Sequence, residues 1–405
     1  EAHPKIRNAT SKWKCGMMTA DVVVIGAGVN GASTAYNLAK RGVKKVVLLE
    51  KYLIASGGTG RSAAIVRQHY SSEPLIRMVK RSVEIFSNFN EIIGGSAGFV
   101  NCGYGFLAPE NVSEGFSRNL ALQQKLGIDT REISKDDFLK LEPRADLSDV
   151  DRICYEPGSG YADPHDTTYS YVKRFQELGG ELMQMTPVIG LVRSNGAVKG
   201  VRTAKGDLSS GTVINAAGPW AAHVARWAGL EVPIQVTREE EMIVETRDVG
   251  GPPRMAISDA CKAIYYRPVG PTRTLLGRGF PKEYEYVDPD RYKESADVEF
   301  IEDATHLFVE RFPSFDKALL VNAYTGLYDV TPDWHPILGK VDGLNGFLMC
   351  AGFSGHGFKI GPSIGELMAE EVLDGGARSI DISGFSLSRF ASGKLLRGTY
   401  GANRA

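Results

Sequence analysis

The sequence predicts an α/β protein in which a parallel, Rossmann-type sheet is interleaved with an α+β domain built on an antiparallel sheet. Three observations carry this. A β-branched run, a glycine-rich turn and an amphipathic helix follow one another over residues 22–42 and lead into a second apolar run. Two more apolar runs ending in small residues, 213–218 and 346–352, come much later in the chain. Between them, from about 236 to 329, short alternating segments sit between Gly-Pro turns.

Val22 to Ile25 is too short for a helix and suits a strand buried on both faces. Ala32, Ala35, Tyr36, Leu38 and Ala39 give one helical apolar face, ended by Gly42. Val46 to Leu49 is the second strand, completing a β-α-β unit. After the 346–352 strand, Pro362 to Leu373 reads as a helix. In the alternating region, Tyr265 and Arg267 share one strand face and Tyr266 takes the other.

With 405 residues the chain exceeds the ~250–300 at which a single core stops growing, so two domains are expected. Residues 20–105, 160–235 and 330–385 are assigned to the nucleotide-binding domain, and 106–159 and 236–329 to the second domain. Residues 1–19, polar and without an apolar segment, read as a leader or appended tail, and 386–405 as a C-terminal tail. A net charge of −1 argues against nucleic acid or an anionic membrane as the main partner. No apolar run reaches the ~18 residues of a membrane span. The five cysteines are scattered and form no Cys-x-x-Cys pair. They predict no disulfide framework, no metal site and a reducing, cytoplasmic setting.

Gly26-Ala27-Gly28-Val29-Asn30-Gly31 fits the G-x-G-x-x-G pattern between a strand and a helix. Gly26 permits the turn, Gly28 lets backbone approach a pyrophosphate, and Gly31 allows close packing of helix on strand. The helix N-terminus offers free N–H groups to the anion. Glu50 and Lys51 close the second strand, where a carboxylate accepts hydrogen bonds from ribose hydroxyls. A second loop rich in glycine, with Gly58, Thr59, Arg61, Ser62 and Ala63, follows within about a dozen residues. Two such loops in quick succession suit a cofactor as long as FAD.

Four further stretches make the sequence resemble the amine-oxidising flavoproteins related to D-amino acid oxidase, in the sarcosine oxidase and glycine oxidase branch. They are Ile65-Val66-Arg67-Gln68-His69-Tyr70, Asn215-Ala216-Ala217-Gly218-Pro219-Trp220, Gly326-Leu327-Tyr328-Asp329-Val330-Thr331-Pro332-Asp333 and Gly352-Phe353-Ser354-Gly355-His356-Gly357-Phe358-Lys359. The likeness runs from about residue 20 to 390. It implies that Arg67 and Lys359 hold a substrate carboxylate. It also implies that Val188, Ala217, Gly218, Trp220, Gly326, Gly352, Ser354, Gly355, His356, Gly357 and Phe358 surround FAD. Gly326 stands where monomeric sarcosine oxidases carry the cysteine that bonds flavin, which implies non-covalent FAD. Leu275 aligns with a lysine that promotes reaction with oxygen in those enzymes, so oxygen and another electron acceptor stay open. His165 aligns near the histidine to which heterotetrameric relatives attach FMN, and is read here as part of a helix start.

The chemistry implied is hydride transfer to flavin from the carbon beside an amine nitrogen, followed by imine hydrolysis. A guanidinium grips a carboxylate bidentately while an ammonium acts as a point charge. Arg67 and Lys359 fit those roles, against the plainer readings of a sheet-edge ion pair and a surface lysine. Tyr265 and Tyr328 are candidate walls over the substrate, Arg278 a contact for a second carboxylate, and His69 a candidate base or a structural histidine. His356 lies in the flavin loop, where backbone N–H groups and a positive environment are expected to stabilise reduced flavin. The expected substrate is sarcosine or another N-substituted glycine such as iminodiacetate. The alternatives are proline, hydroxyproline or a primary amino acid such as glycine or a D-amino acid, or a flavin-binding subunit of a hetero-oligomer, silent on its own. A homo-oligomer is compatible with all of these.

Overall fold

The computed structural model describes residues 18–398. Met18–Ile25 is the first strand, and it pairs in parallel with Val46–Leu49 on one side and Gly206–Asn215 on the other. Met18 and Thr19 therefore belong to the sheet, opposite Leu208 and Ser209, and the expected leader is shorter by two residues; its remainder, residues 1–17, lies outside the described residues. The helix Val29–Lys40 follows the glycine turn and packs beside the helices Pro164–Glu177 and Gly357–Leu373. The eight-stranded sheet is completed by Glu181–Met183, Val188–Ser194, Ala197–Thr203, Ile337–Val341 and Leu344–Ala351. Its centre is parallel, and antiparallel strands flank it. Val23, Val24, Leu48, Val213 and Ile214 are fully or almost fully buried, which accounts for their unbroken apolar runs.

The second sheet has nine strands among the described residues. Its main antiparallel block is formed by Gln235–Glu245, Leu319–Val330, Arg273–Arg278 and Ile264–Val269. Tyr104–Ala108 and Arg152–Glu156 extend it. One pair departs from the expected antiparallel pattern. Tyr104–Ala108 runs parallel to Ala256–Asp259, because the chain passes through the nucleotide-binding layers between the two. That whole strand belongs to the second sheet, so a boundary at 105/106 would cut it. Tyr266 packs edge-on against Phe308 and Phe312 in the core of this domain, on the face opposite Tyr265 and Arg267.

Two expectations near the C-terminus are corrected. The last long helix begins at Gly357, and Pro362 lies inside it. Proline favours a first turn, but here the helix is held by close packing. A Cβ at Gly361 would meet Val29 at 2.9 Å, and one at Gly365 would meet the Ser33 carbonyl at 2.6 Å. The expected C-terminal tail from 386 is packed where it is described, over residues 386–398. Arg389 is buried and donates to both carboxylate oxygens of Asp333, at 2.8 and 2.9 Å. Its guanidinium also donates to the His335 carbonyl at 2.8 Å. This pair ties the short helix Ser388–Ala391 to the Thr331-Pro332-Asp333 loop. Among the described residues, no helix is long and apolar enough to cross a membrane.

Candidate active site

Two cavities meet in the middle of the molecule. The larger, about 790 Å³, runs along the carboxyl edge of the first sheet. It is lined by Gly26, Gly28, Asn30, Glu50, Lys51, Gly58, Thr59, Arg61, Ser62, Val188, Ala217, Gly218, Trp220, Gly355, Gly357 and Phe358. Its geometry follows from the fingerprint. Gly26 has φ +103°, and a Cβ there would fall 2.4 Å from the Ala216 carbonyl oxygen. The Val29 N–H donates to Thr59 Oγ1 at 3.1 Å, joining the two glycine-rich loops. Glu50 accepts from the Ala27 N–H through Oε2 and from the Tyr52 N–H through Oε1, each at 2.8 Å. The carboxylate is thus fixed at the cavity wall with lone pairs to spare.

A length of the second domain, residues 289–294, forms the far wall. Asp290 accepts from Trp220 Nε1 at 2.9 Å and ion-pairs with Lys51, whose ammonium lies 4.8 Å over the Trp220 ring. Arg61 lines the cavity, but its guanidinium is held by Tyr292, Glu294 and the Thr325 carbonyl. Gly31, Gly326 and Gly352 line neither cavity. A Cβ at Gly31 would lie 1.9 Å from the Gly26 carbonyl oxygen, one at Gly326 would touch Arg61 at 3.3 Å, and one at Gly352 would touch Thr331 at 2.5 Å. These three act through packing.

The smaller cavity, about 220 Å³, is lined by all six residues expected to handle substrate: Arg67, His69, Tyr265, Arg278, Tyr328 and Lys359. Ala63, Ser354 and His356, expected beside the cofactor, line this cavity. Ser62, Tyr328, Gly355 and Phe358 line both, so the two spaces share one wall. Arg67 lies with its guanidinium carbon 4.4 Å over the Tyr70 ring and donates to the His69 carbonyl. Lys359 stands in the first turn of its helix, yet it is only 8% exposed, which rules out a surface lysine. Burial, reinforced by the Arg67 charge, pushes its ammonium well below the usual lysine range. An incoming carboxylate would restore its charge. Arg278 Nη1, His356 Nε2 and Asn30 Oδ1 are buried without a partner, so both cavities present polar atoms that await a ligand.

Two electrostatic expectations are revised. Burial and Arg67 lower His69 to about 3, so the ring stays neutral and is a poor acceptor for an ammonium proton. It stacks on Phe106 at 4.6 Å and serves as a wall. His356 is likewise held neutral, and its Nδ1 lies 3.1 Å from the Tyr70 hydroxyl; the positive charge at this end comes from Arg67 rather than from His356. Behind the wall, His69, Cys154 and Glu156 place donor atoms within 4.8 Å of one another. Burial pushes the Cys154 thiol far up and Glu156 up to about 7, which opposes the two anions a metal ion would need there. Leu275 is buried on the face shared with Arg267 and lines neither cavity. His165 stands in the first turn of its helix, as expected, and packs against Gly60 of the second glycine-rich loop.

The sequence reading missed Glu241 and Tyr324. Tyr265 Oη donates to Glu241 Oε1 at 2.9 Å and Tyr324 Oη donates to Glu241 Oε2 at 2.7 Å. A signal was present: Glu239 and Glu241 alternate on one strand with both side chains turned inward, where acids are rare.

The family model described as FAD dependent oxidoreductase matches residues 21–371. Mitochondrial sarcosine dehydrogenase of Homo sapiens is 27% identical over 385 residues, covering 92% of this chain and 41% of that protein. The chain thus spans about two fifths of the length of that relative. Sarcosine oxidase subunit beta of Rhodobacter capsulatus is 26% identical, covering 93% of this chain and 90% of that one. The crystal structure of L-proline dehydrogenase from P. horikoshii superposes with a TM-score of 0.86 at 30% identity, covering 94% of this chain and all of that chain.

Proposed function

The chain belongs to the FAD-dependent oxidoreductase family, and from that premise we propose that it oxidises a small secondary amine bearing a carboxylate. One observation carries the reading: a small buried cavity, walled by Arg67 and Lys359 from opposite ends of the chain, adjoins the long cavity of the dinucleotide fingerprint. The long cavity fits FAD in length, in its Glu50 carboxylate and in its backbone-lined turn. Glycine at 326 leaves that position without a thiol, so FAD is held non-covalently. Bound FAD supplies the hydride acceptor.

The protein's own residues do the rest. Arg67 and Lys359 fix the substrate carboxylate and with it the position of the adjacent C–H bond. Tyr265 and Tyr328 close over the amine side. Tyr104, Phe106 and His69 keep the far wall dry. Arg278, with a free Nη1, accommodates a second carboxylate such as that of iminodiacetate. The first reading is an N-substituted glycine, sarcosine above all. The second is L-proline, itself a secondary amine carboxylate, and the 30% identity to an L-proline dehydrogenase favours it.

The test is anaerobic titration of the yellow protein with sarcosine, iminodiacetate, L-proline, glycine and D-alanine, followed by air. Bleaching by one or more of the first three is expected, and the speed of recolouring reports whether oxygen is the acceptor. Bleaching by glycine or D-alanine alone would replace the secondary-amine reading. No bleaching by any of the five would mark a flavin-binding subunit that needs a partner.

A further inference from the structure

Glu241 sits between two spaces that the fold otherwise keeps apart. Tyr265 lines the substrate cavity. Tyr324 lines an outer cleft with Gly60, Arg61, Glu294 and Thr325. The Glu241 carboxylate, 4% exposed, takes one phenolic hydrogen bond from each. Glu241 also feels the Arg267 guanidinium from the strand Ile264–Val269 and a hydrogen bond from the Ala63 backbone in the loop above. Tyr328 stands beside Tyr265 on that side. Its strand neighbour Glu239 is spoken for by Lys282 and by the Thr237 hydroxyl. Asp259, which does line the substrate cavity, is held by Arg311 at 2.7 Å. Glu241 is therefore the carboxylate through which a cavity phenol can dispose of a proton.

A proton must go somewhere. The substrate nitrogen arrives protonated at neutral pH, and hydride can leave the neighbouring carbon only once nitrogen has a free electron pair. Resting on the amine-oxidising reading above, we propose that Tyr265, Glu241 and Tyr324 form a proton wire from the substrate cavity to the outer cleft. The substrate N–H bond breaks and its electron pair stays on nitrogen. The proton bonds to Tyr265 Oη as the Tyr265 O–H proton passes to Glu241 Oε1, so Tyr265 stays neutral throughout. The protonated carboxyl then rotates to bring its O–H to Tyr324. That O–H bond breaks, and its proton bonds to Tyr324 Oη as the Tyr324 O–H proton passes to solvent water in the cleft. Glu241 returns to a carboxylate, with Tyr324 neutral. Tyr265 is the group that touches substrate, and Glu241 and Tyr324 act through it. Burial, opposed by the two phenols, Arg267 and the Ala63 backbone, raises Glu241 to about 7, close to the working pH.

The experiment compares the FAD-loaded full chain with Glu241→Gln and Tyr324→Phe. Without any substrate, infrared difference titration of the wild type should show buried carboxyl bands losing their protons near pH 7, one of which is lost in Glu241→Gln while the Glu156 band stays. With substrate, the anaerobic bleaching rate of the wild type should rise with pH through that region and level off. In Glu241→Gln it should fall about 100-fold at neutral pH, and its rise should move to higher pH. In Tyr324→Phe, proton release reported by an indicator dye should lag behind bleaching. Acetate, a carboxylate without an amine, should bind all three proteins alike. Identical carboxyl titrations in the wild type and Glu241→Gln, or wild-type pH dependence of bleaching in Glu241→Gln, overturns the wire. If Glu241→Gln holds no FAD, unchanged proton release in Tyr324→Phe overturns it equally. Failure of acetate to bind the wild type would instead strike at the Arg67 and Lys359 clamp.

Discussion

The two cavities are built in opposite ways. The cradle end of the long cavity is made of backbone and small residues from three compact stretches, 26–30, 56–62 and 216–220, with Glu50 beside them. The small cavity is made of large side chains from Arg67, Tyr265, Arg278, Tyr328 and Lys359, spread over nearly 300 residues of chain. A backbone-built site depends on local turns and tolerates few changes of shape. A site built from side chains depends on how two sheets meet, and it can be retuned one residue at a time. The electrostatics differ as well. The long cavity holds its charged groups at the rim, in partners such as Lys51 and Asp290. The small one buries Lys359 beside Arg67 and keeps two histidines neutral, which limits the charge it must hold when empty.

The harshest way to test the contrast is to give Gly31 a side chain. Its Cβ would sit 1.9 Å from the Gly26 carbonyl oxygen, and both partners are backbone, so neither can swing aside. Gly31→Val should cost roughly 3 kcal/mol or more through overpacking and lost turn geometry. Expressed protein should be colourless, with a melting temperature lowered by several degrees. A yellow variant with wild-type melting would show that the helix can slide from the strand and that the backbone cradle is not rigid.

The same contrast explains what the sequence revealed. The β-α-β unit was legible because its signals are local: a β-branched run, three glycines and an acid after the next strand. Arg67 and Lys359 were legible only through resemblance to a family, since nothing in either stretch says that they converge. Glu241 was not found at all. Its meaning depends on Tyr324 from the paired strand and Tyr265 from the strand beyond Arg273–Arg278, and cross-strand register is set by the whole sheet. Residues 386–405 read as a tail, whereas Arg389 within them is buried by virtue of a carboxylate 56 residues away. The helix reads as starting at Pro362 because proline suits a first turn, while glycines 361 and 365 set its packing on Val29–Lys40, the first helix of the chain.

A single change in the small cavity should be nearly as damaging to substrate binding while sparing the cofactor. Arg67→Ala removes a charge-assisted, bidentate donor worth roughly 2–3 kcal/mol. The substrate concentration for half-bleaching should rise about 100-fold, with FAD affinity unchanged. Arg67→Lys should not restore it, because an ammonium lacks the planar fork. Lys359→Met should cost less, since burial already opposes its charge. Equal losses in FAD affinity and substrate binding would mean that Arg67 braces the fold rather than gripping the carboxylate.

The gentlest test works from the other side. Glu50→Gln keeps the side chain's size but replaces one of two oxygens that accept from Ala27 and Tyr52 N–H groups. It also removes the charge offered to the ribose hydroxyls. Losing one hydrogen bond to a charged acceptor costs about 1.5 kcal/mol, so FAD affinity should fall about tenfold. Titration of the apoprotein with FAD, followed by flavin fluorescence, measures this directly. At saturating FAD the concentration of substrate for half-bleaching should match the wild type. Glu50 lines the long cavity and not the small one. A parallel shift in both affinities would show that the second glycine-rich loop transmits strain from one cavity to the other, through Thr59 and Ser62, and the two sites would have to be treated as one.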